Sequence, residues 1–401
     1  MIGIRSITYH MPKQITMEQL EQSARLSRMW DRSFPLIRTQ RLCLCPVSEP
    51  ADMDGLKPLS LLCDMSSIRW FNVPIAPQNS KNPSELFGFA HNVLADYGRA
   101  FVNVLGVVAG EIRPGIFDRC AELIRKTSAL SANGQDNFRL GISVNVKPNG
   151  PFFPFTYSSG EMGFSIALEL TQEINEICAK TQGDDLGALR SAIIAQLIPQ
   201  IEAINMQAVE LSVREGLTFH GFDFSLAPII DENGSIITIL NRLGVYNFGH
   251  TGTMFATSFL TNILKHLACR FKSVGFSGVM YSLLEDLELC SINNQRGVTL
   301  EQMISLSTMC GCGVDMVPVY GKIKQEELRS ILLDVAGISC RLHKPLGVRI
   351  LPIPQYGRSK AGFTTFHNDS DFISNTRVVG LNLNLISELG ESFTYLNTSM
   401  G

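Results

Sequence analysis

Apolar runs of strand length alternate with amphipathic helix-length patterns along nearly the whole 401-residue chain. The run from Phe101 to Ala109 is apolar almost throughout, the signature of a strand buried on both faces. Helix starts punctuate the pattern. Thr16 with Gln19, and Thr299 with Gln302, each read as a capping box opening a helix. Ser165 to Ala179 reads as a helix, Asp185 to Glu215 as one long helix that Pro199 would kink, and Gly278 to Leu284 as strand-like. About nine strand-like segments, with no linker and no break in composition, predict one closed α/β barrel ringed by helices. The chain reads as a single domain over 1–401.

Composition narrows the partners. With 34 basic and 37 acidic residues the formal net charge is −3, so no electrostatic reach toward nucleic acid is expected. No apolar stretch approaches the ~20 residues of a membrane span, and the N-terminus MIGIRSITYHMP lacks the pattern of a secretory signal. A cytoplasmic protein without membrane contact is the expectation. The ten cysteines are not set at metal-ligand spacing, so they read as buried thiols and no metal site is expected. With neither GxxxxGK[ST] nor a GxGxxG following a strand, no cofactor is expected either. A charged fraction of 18% leaves apolar surface that a homo-oligomer would bury.

Polar side chains concentrate where strands end or helices begin between Gly221 and Gly321, positions that line a common mouth in α/β folds. Asp223 and Ser225 alternate with Phe222, Phe224 and Leu226, so the two share a strand face. GHTGT, with His250, Thr251, Gly252 and Thr253, enters a long helix whose N-terminus would favour an anion. Glu285 and Asp286, with Asp315, offer paired carboxylates. Arg349 interrupts the apolar VRILPIP strand and would pair with Asp315 or with a substrate anion. Asn145 closes a strand just before NVKPNGPFFPFTYSSGEMG, a loop whose aromatics either anchor it or stack on a ligand.

These residues predict an enzyme acting on a small polar substrate. Asp223, Glu285, Asp286 and Asp315 would do general acid/base work, while Asn145, Ser225, His250, Thr251, Gly252, Thr253 and Arg349 bind the substrate. Hydrolysis of a glycosidic bond is the most concrete version, for which the acids must stand ~5–9.5 Å apart. The rivals are a non-catalytic small-anion or regulatory barrel, with its ligand at the Thr251 helix start, and radical or thiol chemistry at Cys310 and Cys312.

DFSLAP at Asp223 to Pro228, GHTGT, FSGVM with the EDLEL that follows, VDMVPVYG and VRILPIP together resemble domain-of-unknown-function family 711. The likeness covers residues 138–356, leaving 1–137 more divergent and 357–401 as a tail. It implies a ten-stranded α/β barrel similar to pyruvate formate-lyase and ribonucleotide reductase. TRVVGLN, containing Gly380, is superficially similar to the glycyl-radical signature of such enzymes, with Leu381 where the aromatic residue belongs.

Overall fold

The computed structural model describes residues 2–34, 36–51, 53–181, 185–231, 233–358, 362–366, 372–386, 390 and 392–394. The C-terminal tail expected over 357–401 therefore lies partly outside the described residues. Among the described residues eleven strands form: β1 (Gly3–His10), β2 (Ile37–Cys43), β3 (Ile68–Ile75), β4 (Ala100–Val107), β5 (Glu111–Ile112), β6 (Leu140–Val144), β7 (Gly163–Glu169), β8 (Thr218–Asp223), β9 (Gly313–Tyr320), β10 (Leu346–Ile353) and β11 (Phe393–Thr394). Nine of them make one sheet in the order β8-β7-β1-β2-β3-β4-β6-β10-β9. Pairing is parallel except where β1 meets β7 and β6 meets β10. The protein is thus an α/β fold on a large, mostly parallel sheet.

Both expected capping boxes form, at Thr16 with Gln19 and at Thr299 with Gln302. Asp185 caps a helix of 30 residues that carries Pro199 in its interior. Residues 165–170, expected to begin a helix, instead belong mostly to β7, and the helix starts at Thr171. The run GFSIALE is buried along its whole length, and a short apolar run cannot be told from a buried helix by periodicity alone.

The expected closure into a barrel of the pyruvate formate-lyase type is not shown by the strand pairing. The segment expected as a strand over 278–284 makes only isolated bridges, Leu226 with Val279 and Ser282 with Asp315. It then turns into a 3-10 helix at Leu283–Glu285. Backbone conformation explains the irregularity. Gly275 and Ser277 hold φ of 73° and 47°, and Asp223 draws the Phe276 and Ser277 N–H groups out of any ladder, at 2.7 and 3.0 Å.

The two faces of the sheet differ in chemistry. One is aliphatic and aromatic, with Leu42, Phe71, Val73, Val102, Val104 and Ile142 buried under helices including 57–65, 83–96, 114–128 and 325–342. The other is studded with polar groups. Register sets Thr8 beside Arg41, Arg41 beside Trp70, and Cys43 beside Asn72. The aromatic loop after β6 crosses this polar face instead of lying over the surface. Ser6 and Thr8 donate to the Pro151 carbonyl at 3.1 and 3.0 Å, and the Asn72 and Asn103 amides donate to the Thr156 carbonyl at 2.9 and 3.0 Å. Gly141 and Gly347 make the crossing sterically feasible. A Cβ at either would stand 2.3 Å from Pro154 Cγ or 2.6 Å from Phe155 Cδ1.

Candidate functional site

Three buried arginines, a half-buried fourth and three buried carboxylates from distant parts of the chain converge on the polar face. Arg349, on β10, donates from Nε and Nη2 to both oxygens of Asp315 on β9, at 2.7 and 2.9 Å, and from Nη2 to Glu285 at 2.9 Å. Arg5, on β1, donates to the other Glu285 oxygen at 2.8 Å and contacts Glu169 at 3.5 Å. Arg38 holds Glu169 at 3.1 Å. The geometry is that of charge-assisted, partly bidentate pairs, which buried ions require. Burial pushes the Glu285 carboxyl upward, Arg349 and Arg5 draw it back, and Asp315 pushes it up again.

Arg41 is the exception. It is 5% exposed, and its one hydrogen bond among the described residues runs from Nε to Thr39 Oγ1 at 3.0 Å. The guanidinium carbon sits 5.4 Å from the Trp70 ring centroid and 5.3 Å from that of Phe153. Burial pushes its pKa down to about 9, and the charges of Arg5, Arg349 and Arg69 work in the same direction while Glu285 opposes them. Arg5, Arg38 and Arg349 are thus each paired with Glu169, Glu285 or Asp315, whereas no carboxylate pairs directly with Arg41 among the described residues.

Arg5, Arg41 and Arg349 line a cavity with Ser282, Cys312 and a wall of aromatics including Trp70, Phe138 and Phe155, enclosing about 30 Å³ of room for the centres of water-sized molecules. The Ser282 hydroxyl is buried and has no hydrogen-bond partner among the described residues. A buried hydroxyl left so costs free energy unless something in the cavity meets it.

Of the expected catalytic residues, Glu285 and Asp315 line this cavity and Asp223 and Asp286 do not. Asp223 accepts from the Ser225 N–H and hydroxyl at 2.8 and 2.6 Å, besides the Phe276 and Ser277 N–H groups. It clamps the turn after residue 274, and a Cβ at Gly275 would lie 2.1 Å from its Oδ2. Ser225 shares that clamp and receives the Gly278 N–H at 3.4 Å. Asp286 caps helix 287–295 through the Glu288 and Leu289 N–H groups, both at 3.1 Å. It also accepts from Ser235 Oγ and the Ile236 N–H, at 2.6 and 2.8 Å, at the start of helix 236–242. Burial raises both carboxyls, and these same donors oppose it.

Arg349 takes its expected place against Asp315. His250, Thr251 and Gly252 lie exposed on a surface turn, and Thr253 spends its hydroxyl on the Gly249 N–H at 3.1 Å. Asn145, with φ 51°, accepts from the Gly110 N–H and donates to Ser339 Oγ, at 3.1 and 3.0 Å. None of these five residues from the expected binding set reaches the cavity. Gly380 is exposed and borders a surface groove beside Arg296 and Tyr320, apart from Cys310 and Cys312, so the similarity to a glycyl-radical signature carries no relay to those thiols. Arg5, Arg41, Ser282 and Trp70 were not among the expected site residues. For Arg5 and Arg41 the signal is a basic side chain within a strand-like segment, as in IRSITYH and QRLCLC.

No helix among the described residues is long and apolar enough to cross a membrane. Comparison with known proteins corrects the expected reaction. Relatives found include a UPF0210 protein of Pyrobaculum arsenaticum, 24% identical over 58% of this chain and 54% of its own, one of Methanopyrus kandleri, 26% identical over 59% and 53%, and one of Ruminiclostridium cellulolyticum, 27% identical over 60% and 53%. The chain thus spans little more than half the length of these relatives. Their names assign no reaction, so glycosidic hydrolysis by carboxylates has no footing among them. The geometry points the same way, because two of the four acids are consumed by backbone clamps and the other two share one arginine. The profile of an uncharacterised family, DUF711, matches residues 68–365, and the chain belongs to that family.

Proposed function

We propose that this chain binds a compact organic monocarboxylate in the buried cavity between Arg5, Arg41 and Arg349. The unpaired guanidinium of Arg41 carries the reading. A buried cation without a direct counter-ion is expensive, and a ligand carboxylate against its free nitrogens would give Arg41 the pairing that Glu169, Glu285 and Asp315 give Arg5, Arg38 and Arg349. Ser282 Oγ, unpartnered on the same wall, supplies a further donor. The aromatic rings suit the ligand's short carbon body, and room for about two waters limits its size. Glu285 and Asp315 act here by fixing the two outer arginines, leaving Arg41 as the variable partner.

The reading includes closure of the sheet around the ligand. Bridges from Phe222 to Ser273, Leu226 to Val279 and Ser282 to Asp315 support a tenth, irregular strand joining β8 to β9, with Ser282 delivered to the cavity by it.

Thermal unfolding with acetate, propionate, benzoate, phosphate and chloride tests the proposal. A carboxylate present at 100 times its Kd stabilises by about 2.7 kcal/mol. Propionate or acetate is expected to raise the unfolding temperature saturably, with phosphate and chloride inert and Arg41→Met unresponsive. Equal effects of all anions, or an undiminished carboxylate response in Arg41→Met, would overturn it.

A further inference from the structure

Cys312 lines the cavity wall, and Cys310 stands one glycine before it. Both are free thiols and each is 1% exposed. Their sulfurs turn toward the same acceptor, the Gly313 carbonyl, at 3.9 and 3.8 Å. The backbone that presents them is held from both sides. The Gly311 N–H donates to the Val279 carbonyl at 2.6 Å, and a Cβ on Gly311 would stand 2.9 Å from Gly278 Cα. Only glycine fits between the two cysteines.

Lys344 brings a positive charge to the pair. Its Nζ donates to the carbonyls of Ser307, Thr308 and Cys310 at 2.9, 3.1 and 2.5 Å. Hydrogen bonding from Cys312, then the Lys344 ammonium, push the Cys310 thiol down to about 6 against burial. The same hydrogen bond pushes Cys312 well up, aided by burial and by Asp315. Tyr281 and Lys265 complete the titratable surroundings. A depressed Cys310 beside a raised Cys312 favours a pair that holds one proton between two sulfurs, one of them a thiolate.

We infer that Cys310-Gly311-Cys312 is a dithiol redox centre on the cavity wall, oxidised to an intramolecular disulfide by a small hydroperoxide and reduced by a low-molecular-weight thiol. The shared proton passes from Cys312 to Cys310. The Cys312 thiolate attacks one peroxide oxygen, the O–O bond breaks, and a sulfenic acid and hydroxide form. That hydroxide takes the proton from Cys310 and becomes water. The Cys310 thiolate then attacks the Cys312 sulfur, forming S–S as S–O breaks and a second hydroxide leaves. Two electrons pass from the sulfurs to the peroxide. In return, two external thiols are oxidised to their disulfide and restore the pair. A ring closed over a single intervening residue is strained, which makes such a bond readily reducible.

The test titrates the native protein with hydrogen peroxide near neutral pH, alkylates it after denaturation, and maps cysteines by peptide mass spectrometry. The peptide holding both residues is expected to lose two hydrogens before exposed Cys269 is oxidised, and to regain them with dithiothreitol. Cys310→Ser should leave Cys312 as sulfenic or higher acids, and Lys344→Met should slow bridging about tenfold at neutral pH by disfavouring the thiolate. Both thiols remaining alkylatable after Cys269 has reacted, or a bridge from either to another cysteine, would overturn the inference. The wild-type result decides the matter even if a variant fails to fold, and no carboxylate ligand enters the assay, so its outcome is independent of the proposed function.

Discussion

Replacing Arg41 with methionine should make the empty protein more stable while abolishing its ligand response. Holding the guanidinium charged where its pKa is pushed from 12.5 to about 9 costs at most about 5 kcal/mol. The bond to Thr39 and the contacts over Trp70 and Phe153 return about 3 kcal/mol. Methionine has similar length, keeps the aromatic contacts and has no charge to desolvate. The balance predicts that Arg41→Met gains about 2 kcal/mol. Urea unfolding in a buffer free of carboxylates measures it as a rise in midpoint at unchanged m. Natural sites often carry such a destabilising group because the ligand satisfies it. A variant less stable than wild type would mean that Arg41 is already satisfied within the fold, and the argument for an absent carboxylate would collapse.

Asp223→Ala leaves three buried N–H groups without an acceptor and should cost about 3–6 kcal/mol in urea unfolding; a loss below 1 kcal/mol would deny the clamp. Asp286→Ala removes the acceptor at two helix starts and should cost about 2–4 kcal/mol, with Asp286→Asn recovering part of it. Gly347→Ala should cost about 1–3 kcal/mol by driving a methyl into Phe155, and a Phe155→Leu background should relieve much of that cost. For pH, Cys310 is depressed in the folded state from 9.0 to about 6. Its contribution to stability is therefore present above the ordinary thiol range and lost as pH falls through about 6. Wild type should lose more stability than Cys310→Ser between those limits, measured as urea midpoints across pH.

Helix starts and strand runs were legible because their causes are local. Thr16 and Thr299 cap three residues ahead whatever the rest of the chain does, and Phe101 to Val107 is buried wherever it lies in a sheet. Arg349 against Asp315 was also within reach, since a lone arginine in an apolar strand must find a carboxylate. Residues 163–169 were not legible as a strand, because their burial on both sides erases the alternation that distinguishes strand from helix. Nor was the irregular segment around Gly275 and Ser277, whose backbone is bent by Asp223 from more than fifty positions away.

The candidate site divides along the same line. Residue type alone marks Asp223, Glu285, Asp286 and Asp315 as groups that need partners once buried. Which partners they receive is a long-range matter: backbone N–H groups for two of them, and arginines from β1 and β10 for the others. Arg41 stands apart only because no carboxylate pairs directly with it, and such a missing partner is visible nowhere in the linear order. Local propensities set the elements of this protein, whereas the electrostatic balance of its interior comes into being only when sequence-distant strands place their charges within a few ångströms of one another.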